Sequence, residues 1–349
     1  MSFKSPGRLA GRAMKMSDIA QIAGVSTSTV SRALADHPTI PEKTRKAIQA
    51  VASEHGYVIN RSARSLRQSQ TQTIAVAVPL GHEREQLISD PFFLRLFGHL
   101  ADEISKRGYD ILLVREPSPD ASWLDNLIRS QRADGLVIVG QSDQHDALNA
   151  AARNFLPLVV FGAPLPAQIY CSIGSDNLEG GRLAADHLFH SGRRRILFVG
   201  PAELPQIDLR LAGFRQSLED NGHELDEGLV LPAHFTGSSA YEEVSKALAG
   251  GLSFDAVFAA SDGIALSVIK AIEDAGRSCP EDVAVVGFDD SDIAAQSRPS
   301  LTTVRQDFPR IAATLVDHLF MRMKGQEAAT STLPVQLIVR ESAPALPSG

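Results

Sequence analysis

Residues 17–34 read Ser-Asp-Ile-Ala-Gln-Ile-Ala-Gly-Val-Ser-Thr-Ser-Thr-Val-Ser-Arg-Ala-Leu, and the N-terminal fold turns on this stretch. Ile19, Ala20, Ile22 and Ala23 recur at helical spacing behind Ser17, which is placed to cap the helix. Gly24 supplies the left-handed residue that ends it. Val25 fills the corner, and Ser26 caps a second helix whose Val30, Ala33 and Leu34 face inward, leaving Thr27, Ser28, Ser31 and Arg32 outside. Short hydroxyl side chains at the start of a helix, with an arginine one turn on, suit close approach to base edges in a major groove. Thr29 and, in the next helix, Thr44 join them as candidate DNA contacts. That third helix follows Pro41, runs through Ala47, Ile48, Val51 and Ala52 and stops at Gly56, with Lys43, Arg45 and Lys46 available to phosphates. Residues 16–59 are therefore expected to form an all-α helix-turn-helix head.

Charge divides along the same line. Residues 1–70 hold eleven Lys and Arg against four Asp and Glu, or +7, so the other 279 residues carry −14 of the net −7. A basic head on an acidic body is the footprint of a protein that meets nucleic acid at one end, although a solvated charge run alone would read the same way.

After Tyr57 the chain continues Asn60-Arg61-Ser62-Ala63-Arg64-Ser65-Leu66-Arg67 and then a polar run to Thr73. An exposed leucine among arginines needs a reason; taken alone, the stretch also reads as a flexible linker with a stray apolar residue. From Ser17 to Leu66 the sequence resembles the head of LacI/GalR-type repressors, whose Asn-Arg-x-Ala-x-x-Leu segment forms a hinge helix on DNA. The resemblance implies that Asn60, Ala63, Arg64 and Leu66 contact the operator, with Leu66 wedged into the minor groove at a central CG step of a pseudo-palindrome. Such a wedge costs a few kcal/mol of unstacking and recovers it through added contact. Residues 60–72 are then hinge helix and linker, ordered on binding. Residues 1–15 have no counterpart in the resemblance and read either as a disordered basic arm or as lying ahead of the true start.

Beyond Thr73 apolar runs alternate with amphipathic stretches: 74–78, 111–114, 136–139, 158–161, 196–199, 256–260 and 283–288. Strands of this kind joined by helices predict parallel sheets buried on both faces, and seven of them exceed one comfortable sheet. The expectation is an α/β body over 73–345, made of two doubly wound lobes. The family resemblance extends across it and implies periplasmic-binding-protein type I lobes linked by three crossovers, one within 300–306, with the ligand between them. Open α/β sheets bind at the carboxyl ends of their strands.

Polar residues stand just beyond several strand ends. Asp289 and Asp290 follow Val-Val-Gly-Phe, Ser261 and Asp262 follow Phe-Ala-Ala, Asp176 follows Ser-Ile-Gly-Ser, and Arg210 lies in Asp-Leu-Arg-Leu-Ala-Gly-Phe. Carboxylates and an arginine fork suit a set of hydroxyls. Asp262 and Asp290 read first as helix caps, and Asp176 also allows that role. The resemblance implies that Arg210 and Asp289 hold a sugar effector and that Phe235 offers an aromatic face; Phe92 or Phe93, in Asp-Pro-Phe-Phe, is a further candidate for the cleft wall, with Phe93 reading first as core. With Asp176 and Ser261, these complete the candidate effector site. One departure stands out: Val139 ends its strand where the resemblance implies a polar ligand-holding residue, which argues for an effector other than a galactoside. The tail after Glu341 is too short and proline-rich for a tetramerising heptad helix, so a homodimer is expected.

No dinucleotide fingerprint, phosphate loop or nucleophile elbow accompanies the strands, so no catalytic residues and no cofactor are expected. Cys171 and Cys279 lie far apart without ligand spacing, which speaks against a disulfide or a metal site and suggests buried thiols. No signal peptide and no membrane-length apolar run is present, which favours a cytoplasmic protein over an exported sugar-binding one. The functional expectation is a repressor of carbohydrate-utilisation genes released by a sugar; the alternative is a purine-type repressor whose ligand tightens operator binding.

Overall fold

The computed structural model describes residues 14–57, 70–81, 86–120 and 122–345, and the chain divides into two compact units that meet between Thr71 and Gln72. The first holds α1 (Met16–Ala23), α2 (Thr27–Leu34) and α3 (Glu42–Glu54). Ser17 does not cap α1. The helix begins two residues earlier, at Met16 behind Lys15, and the Asp18 carboxylate accepts from the Lys15 backbone N–H at 2.9 Å, which also places a negative charge on the positive end of the helix. Gly24 ends α1 at φ +65°, where only glycine is free of strain, and the Val25 N–H closes the turn on the Ala20 carbonyl. The Ser26 hydroxyl caps α2 through the Thr29 N–H at 3.1 Å. Ile19, Ala20, Val30, Ala33, Ile40 and Ile48 form the small core. On α3, Ile48 and Ala52 face inward, while Ala47 is exposed.

The second unit runs β1 (Thr73–Pro79), α4 (Pro91–Lys106), β2 (Asp110–Glu116), α5 (Trp123–Arg129), β3 (Gly135–Val139), α6 (His145–Asn154), β4 (Leu158–Phe161) and β5 (Cys171–Ser175). It continues with α7 (Asn177–His190), β6 (Ile196–Val199), α8 (Pro205–Asp220), β7 (Val230–Leu231), α9 (Gly237–Ala249), β8 (Ala256–Ala259), α10 (Asp262–Asp274) and β9 (Ala284–Asp289). It ends with α11 (Asp292–Gln296), β10 (Thr302–Arg305), α12 (Phe308–Met323), β11 (Ser331–Leu333) and β12 (Gln336–Ile338). Two six-stranded sheets result, ordered β11-β5-β4-β3-β1-β2 and β12-β10-β9-β8-β6-β7. All pairings are parallel except β10 with β12.

The chain passes between lobes three times: from β5 into α7, from β10 into α12, and from β11 into β12. Helix α12 packs Phe308, Ile311, Leu315 and Leu319 under the first sheet with Leu96 and Leu100 of α4, and Trp123, Leu124 and Leu148 cover its other face. Phe198, Phe214, Phe258 and Phe288 centre the second lobe. The seven apolar runs all became strands. One of them, β2, is not buried on both faces, because it forms an edge with a single neighbour; Ile111 and Leu113 are 37% and 47% exposed. Cys171 is buried and Cys279 only half-buried; burial pushes both free thiols up, to about 11 and about 12.

Candidate functional site

Both sheets end their parallel strands at one cleft. Its walls include Val78, Val139, Phe161 and Ser175 at the ends of β1, β3, β4 and β5, and Ser261 and Asp289 beside β8 and β9. It encloses about 1100 Å³ of space free of protein atoms, its open mouth included. Chain order reverses at β1 in one sheet and at β6 in the other, the switch points at which such sheets leave a crevice. Both walls mix apolar and polar side chains: Val78, Phe92, Val139 and Phe161 with Asp90 and Gln141 on the first lobe's side, Ile207, Phe235 and Ile293 with Arg210, Asp289 and Ser261 on the second's.

Arg210 is placed by the packing of α7 on α8. A Cβ at Gly213 would collide with the Leu178 carbonyl oxygen, and one at Gly181 with that of Arg210, so the two helices touch backbone to backbone. This draws the buried guanidinium against Asn177, whose Oδ1 accepts from Nε at 2.8 Å, while Nη1 donates to the Ala260 carbonyl and the Phe288 ring lies 3.5 Å beneath. Burial pulls Arg210 down to about 10, against the opposing pull of Asp289 and Asp262, so it stays charged at neutral pH.

Asp289 closes β9 at φ +115°, a strained backbone for a residue with a side chain. Its Oδ1 accepts from Gln306 Nε2 at 2.6 Å, and Gln306 Oε1 accepts from the Ser175 hydroxyl at 2.5 Å. A hydrogen-bonded line thus runs from the first lobe through the middle crossover to the second lobe. Burial is the main cause that pushes the Asp289 carboxyl up, to about 8, with Arg210 acting against it.

The sequence candidates separate here. Phe92, Arg210, Phe235, Ser261 and Asp289 line the cleft. Asp176 is not among the lining residues; it caps α7, accepting from the Glu179 N–H at 3.0 Å. Ser261, not Asp262, caps α10. Asp262 is the first residue of that helix and accepts from the Ser291 N–H at 2.7 Å and the Thr303 hydroxyl at 2.5 Å, pinning the loop after β9. Nor is Asp290 a cap, since Arg305 and Arg340 each hold it at 2.6 Å. Phe93 lies in the first lobe's core at 5% exposure, stacks on Phe97 and also borders the cleft. Sequence reasoning passed over Gln306, Asn177, Gln141 and Asp90. Gln141 holds the Ala163 backbone and the Tyr170 hydroxyl, and Asp90 caps α4 beside Phe92. Their only signal was position, directly after a strand or before a helix.

In the head, Thr27, Ser28 and Arg32 are exposed along α2, with Thr29 and Ser31 half-buried; Thr44 lies half-buried on α3. The Ser26 hydroxyl lies 2.8 Å from both the Ser28 and Thr29 hydroxyls, which orders the start of α2. Lys43 is exposed, Lys46 pairs with Glu42 at 2.7 Å, and Arg45 pairs with Asp36 at 3.2 Å. Surface pairs of this kind are weak and open readily to phosphate. Asn60, Ala63, Arg64 and Leu66 lie outside the described residues.

A helix-turn-helix head joined to a two-lobed α/β body with a polar-walled interlobe cleft defines a class: DNA-binding regulators with a ligand-binding body. Comparisons with known proteins agree. The family profile described as bacterial regulatory proteins, lacI family, matches residues 15–60, and a periplasmic binding protein-like domain matches residues 185–343. The chain is 32% identical over 330 residues to the HTH-type transcriptional regulator CelR of Thermobifida fusca, covering 93% of this chain and 96% of that one. It is 30% identical over 345 residues to the HTH-type transcriptional repressor CytR of Escherichia coli (strain K12), covering 96% and 98%. Among solved structures, the lac repressor dimer bound to operator and the anti-inducer ONPF matches with a TM-score of 0.84 at 27% identity, covering 96% and 100%. The CelR–cellobiose complex matches with a TM-score of 0.71 at 31% identity, covering 94% and 99%. This chain belongs to the lacI family and is a helix-turn-helix transcriptional regulator. No helix among the described residues is long and apolar enough to cross a membrane.

Proposed function

We propose that the protein is a cytoplasmic homodimeric repressor of carbohydrate-utilisation genes, held on a pseudo-palindromic operator until a small sugar enters the cleft. The observation that carries the ligand half is the buried Arg210 and Asp289 in one cleft that apolar and aromatic side chains of both lobes also line. A sugar ring offers hydroxyls to the first and C–H faces to the second. The CelR relative in complex with cellobiose and the lac repressor dimer on its operator support the same reading. On the DNA side Thr27, Ser28, Thr29, Ser31 and Arg32 read the major groove, with Thr44 beside them on α3. Asn60, Ala63, Arg64 and Leu66 take the hinge role that the family resemblance gives them.

The mechanism is a shift of population: effector prefers one arrangement of the lobes, operator the other, and the difference in affinity sets the response. The line Ser175–Gln306–Asp289 joins both lobes to the effector side chains and provides a physical link for that preference. Operator affinity measured at fixed salt with saturating sugar tests the proposal. Weaker binding is expected; tighter binding would show a corepressor, and no change across a broad sugar panel would refute effector control by sugars.

A further inference from the structure

Away from the three crossovers, a side chain bridges the lobes. Arg95, half-buried on the first lobe's α4, donates from Nη1 to the backbone carbonyl of Asp290 in the second lobe. Its guanidinium also lies over the Phe308 ring, 5.4 Å from the centroid, where the middle crossover enters α12. Both ends of this bridge belong to elements that build the cleft. Phe92, one turn earlier on α4, lines it, and Asp290 sits between two lining residues, Asp289 and Ser291.

The loop that Arg95 grips is a strained one. Asp289 and Asp290 adopt φ of +115° and +51°, two consecutive positions in a region that residues with side chains rarely occupy. From the second lobe, Asp262 accepts from the Ser291 N–H at 2.7 Å and from its hydroxyl at 2.8 Å, and Arg305 and Arg340 each hold the Asp290 carboxylate at 2.6 Å. Those contacts travel with the second lobe. The bond from Arg95 does not, because rotating one lobe against the other pulls α4 away from the Asp290 carbonyl and exchanges a charge-assisted bond for water.

We propose, resting on the reading that the cleft takes a sugar, that Arg95 is an interlobe latch: docked on the Asp290 carbonyl, it holds the lobes in the arrangement in which Phe92 and Asp289 line one cleft, and so sets effector affinity from outside the site. Arg95 is not among the lining residues. It is a positioning residue that acts through the Asp289–Ser291 loop. Without it the lobes spend a smaller fraction of time in the arrangement that presents both walls to one ligand, and apparent affinity falls by that fraction.

The test is a calorimetric titration of the full-length protein with glucose, ribose, maltose and cellobiose, repeated on two variants. Arg95→Met keeps an unbranched stem against Phe308 and removes the donor, while Arg95→Lys returns a charged donor. For whichever sugar the parent binds, Arg95→Met should weaken binding about threefold to tenfold, and Arg95→Lys should recover most of the loss. Without sugar, hydrogen exchange at the Ser291 amide, which donates to Asp262, should quicken in Arg95→Met while that of Phe288 within β9 keeps the parent rate. Thermal unfolding should stay close to the parent in both variants, which separates a latch from a folding defect. Equal sugar affinity in the parent and Arg95→Met, an unchanged Ser291 exchange rate, or equal losses in both variants with a lowered melting temperature overturns the latch and leaves the sugar reading standing. Silence from every sugar in the panel refutes both.

Discussion

Asp289 shows what burying a carboxyl in the cleft wall costs the protein. Its native pKa lies above that of a free carboxyl because of burial, so between the ordinary carboxylate range and about 8 the native state holds a proton that the unfolded chain has released. That contribution favours folding at low pH and is lost as pH rises through the window. Asp289→Asn removes the titration, so its melting temperature relative to the parent should rise by several degrees between about pH 5 and about pH 8.5, while sugar binding disappears. A constant difference across that range would contradict the assignment. Arg210 and Asp289 were legible as candidates because each sits in a recognisable motif at a strand or helix end. The roles of Asp176, Ser261 and Asp262 were not, because an acid or hydroxyl after a strand serves equally as cap, loop anchor or ligand, and only the direction of the following turn chooses.

Secondary-structure elements add a constraint of their own, clearest where α7 meets α8. The approach through Gly181 and Gly213 is what brings Arg210 to Asn177. Gly213→Ala places a methyl group against the Leu178 carbonyl, where backbone must move; a loss of about 1–3 kcal/mol or more is expected. Thermal unfolding should show it as a fall of several degrees, and effector binding should weaken even though no ligand contact was altered. An unchanged melting temperature would mean that the helices can part freely. At this scale the seven apolar runs were readable because buried parallel strands need continuous apolar sequence. The strand β5 is absent from the seven apolar runs because Cys-Ser-Ile-Gly-Ser lacks that signature, and β7, β11 and β12 are two or three residues long. Ile111 and Leu113 carry the signature yet lie on an edge, since apolarity gives no information on sheet order.

In the whole molecule, a +7 segment of 70 residues and a −14 remainder divide the work between phosphate attraction and solubility. Non-specific DNA affinity should therefore fall steeply with salt. If Leu66 is the wedge that the family resemblance implies, Leu66→Ala should lose about tenfold or more of operator affinity while non-specific binding at the same salt is nearly unchanged. Competition binding on operator and random duplexes measures both, and equal losses would argue against a wedge.

By itself the sequence determined the helix-turn-helix, the division of charge, the α/β character of the body and the motifs holding Arg210 and Asp289, because caps, periodicity and charge are local properties. Tertiary structure alone decided that Gln306 ties Ser175 of the first lobe to Asp289 of the second, and that the Arg210 guanidinium meets the Ala260 carbonyl. The Ser175–Gln306 bond alone joins residues 131 positions apart, which the order of strands brings together and no local pattern records.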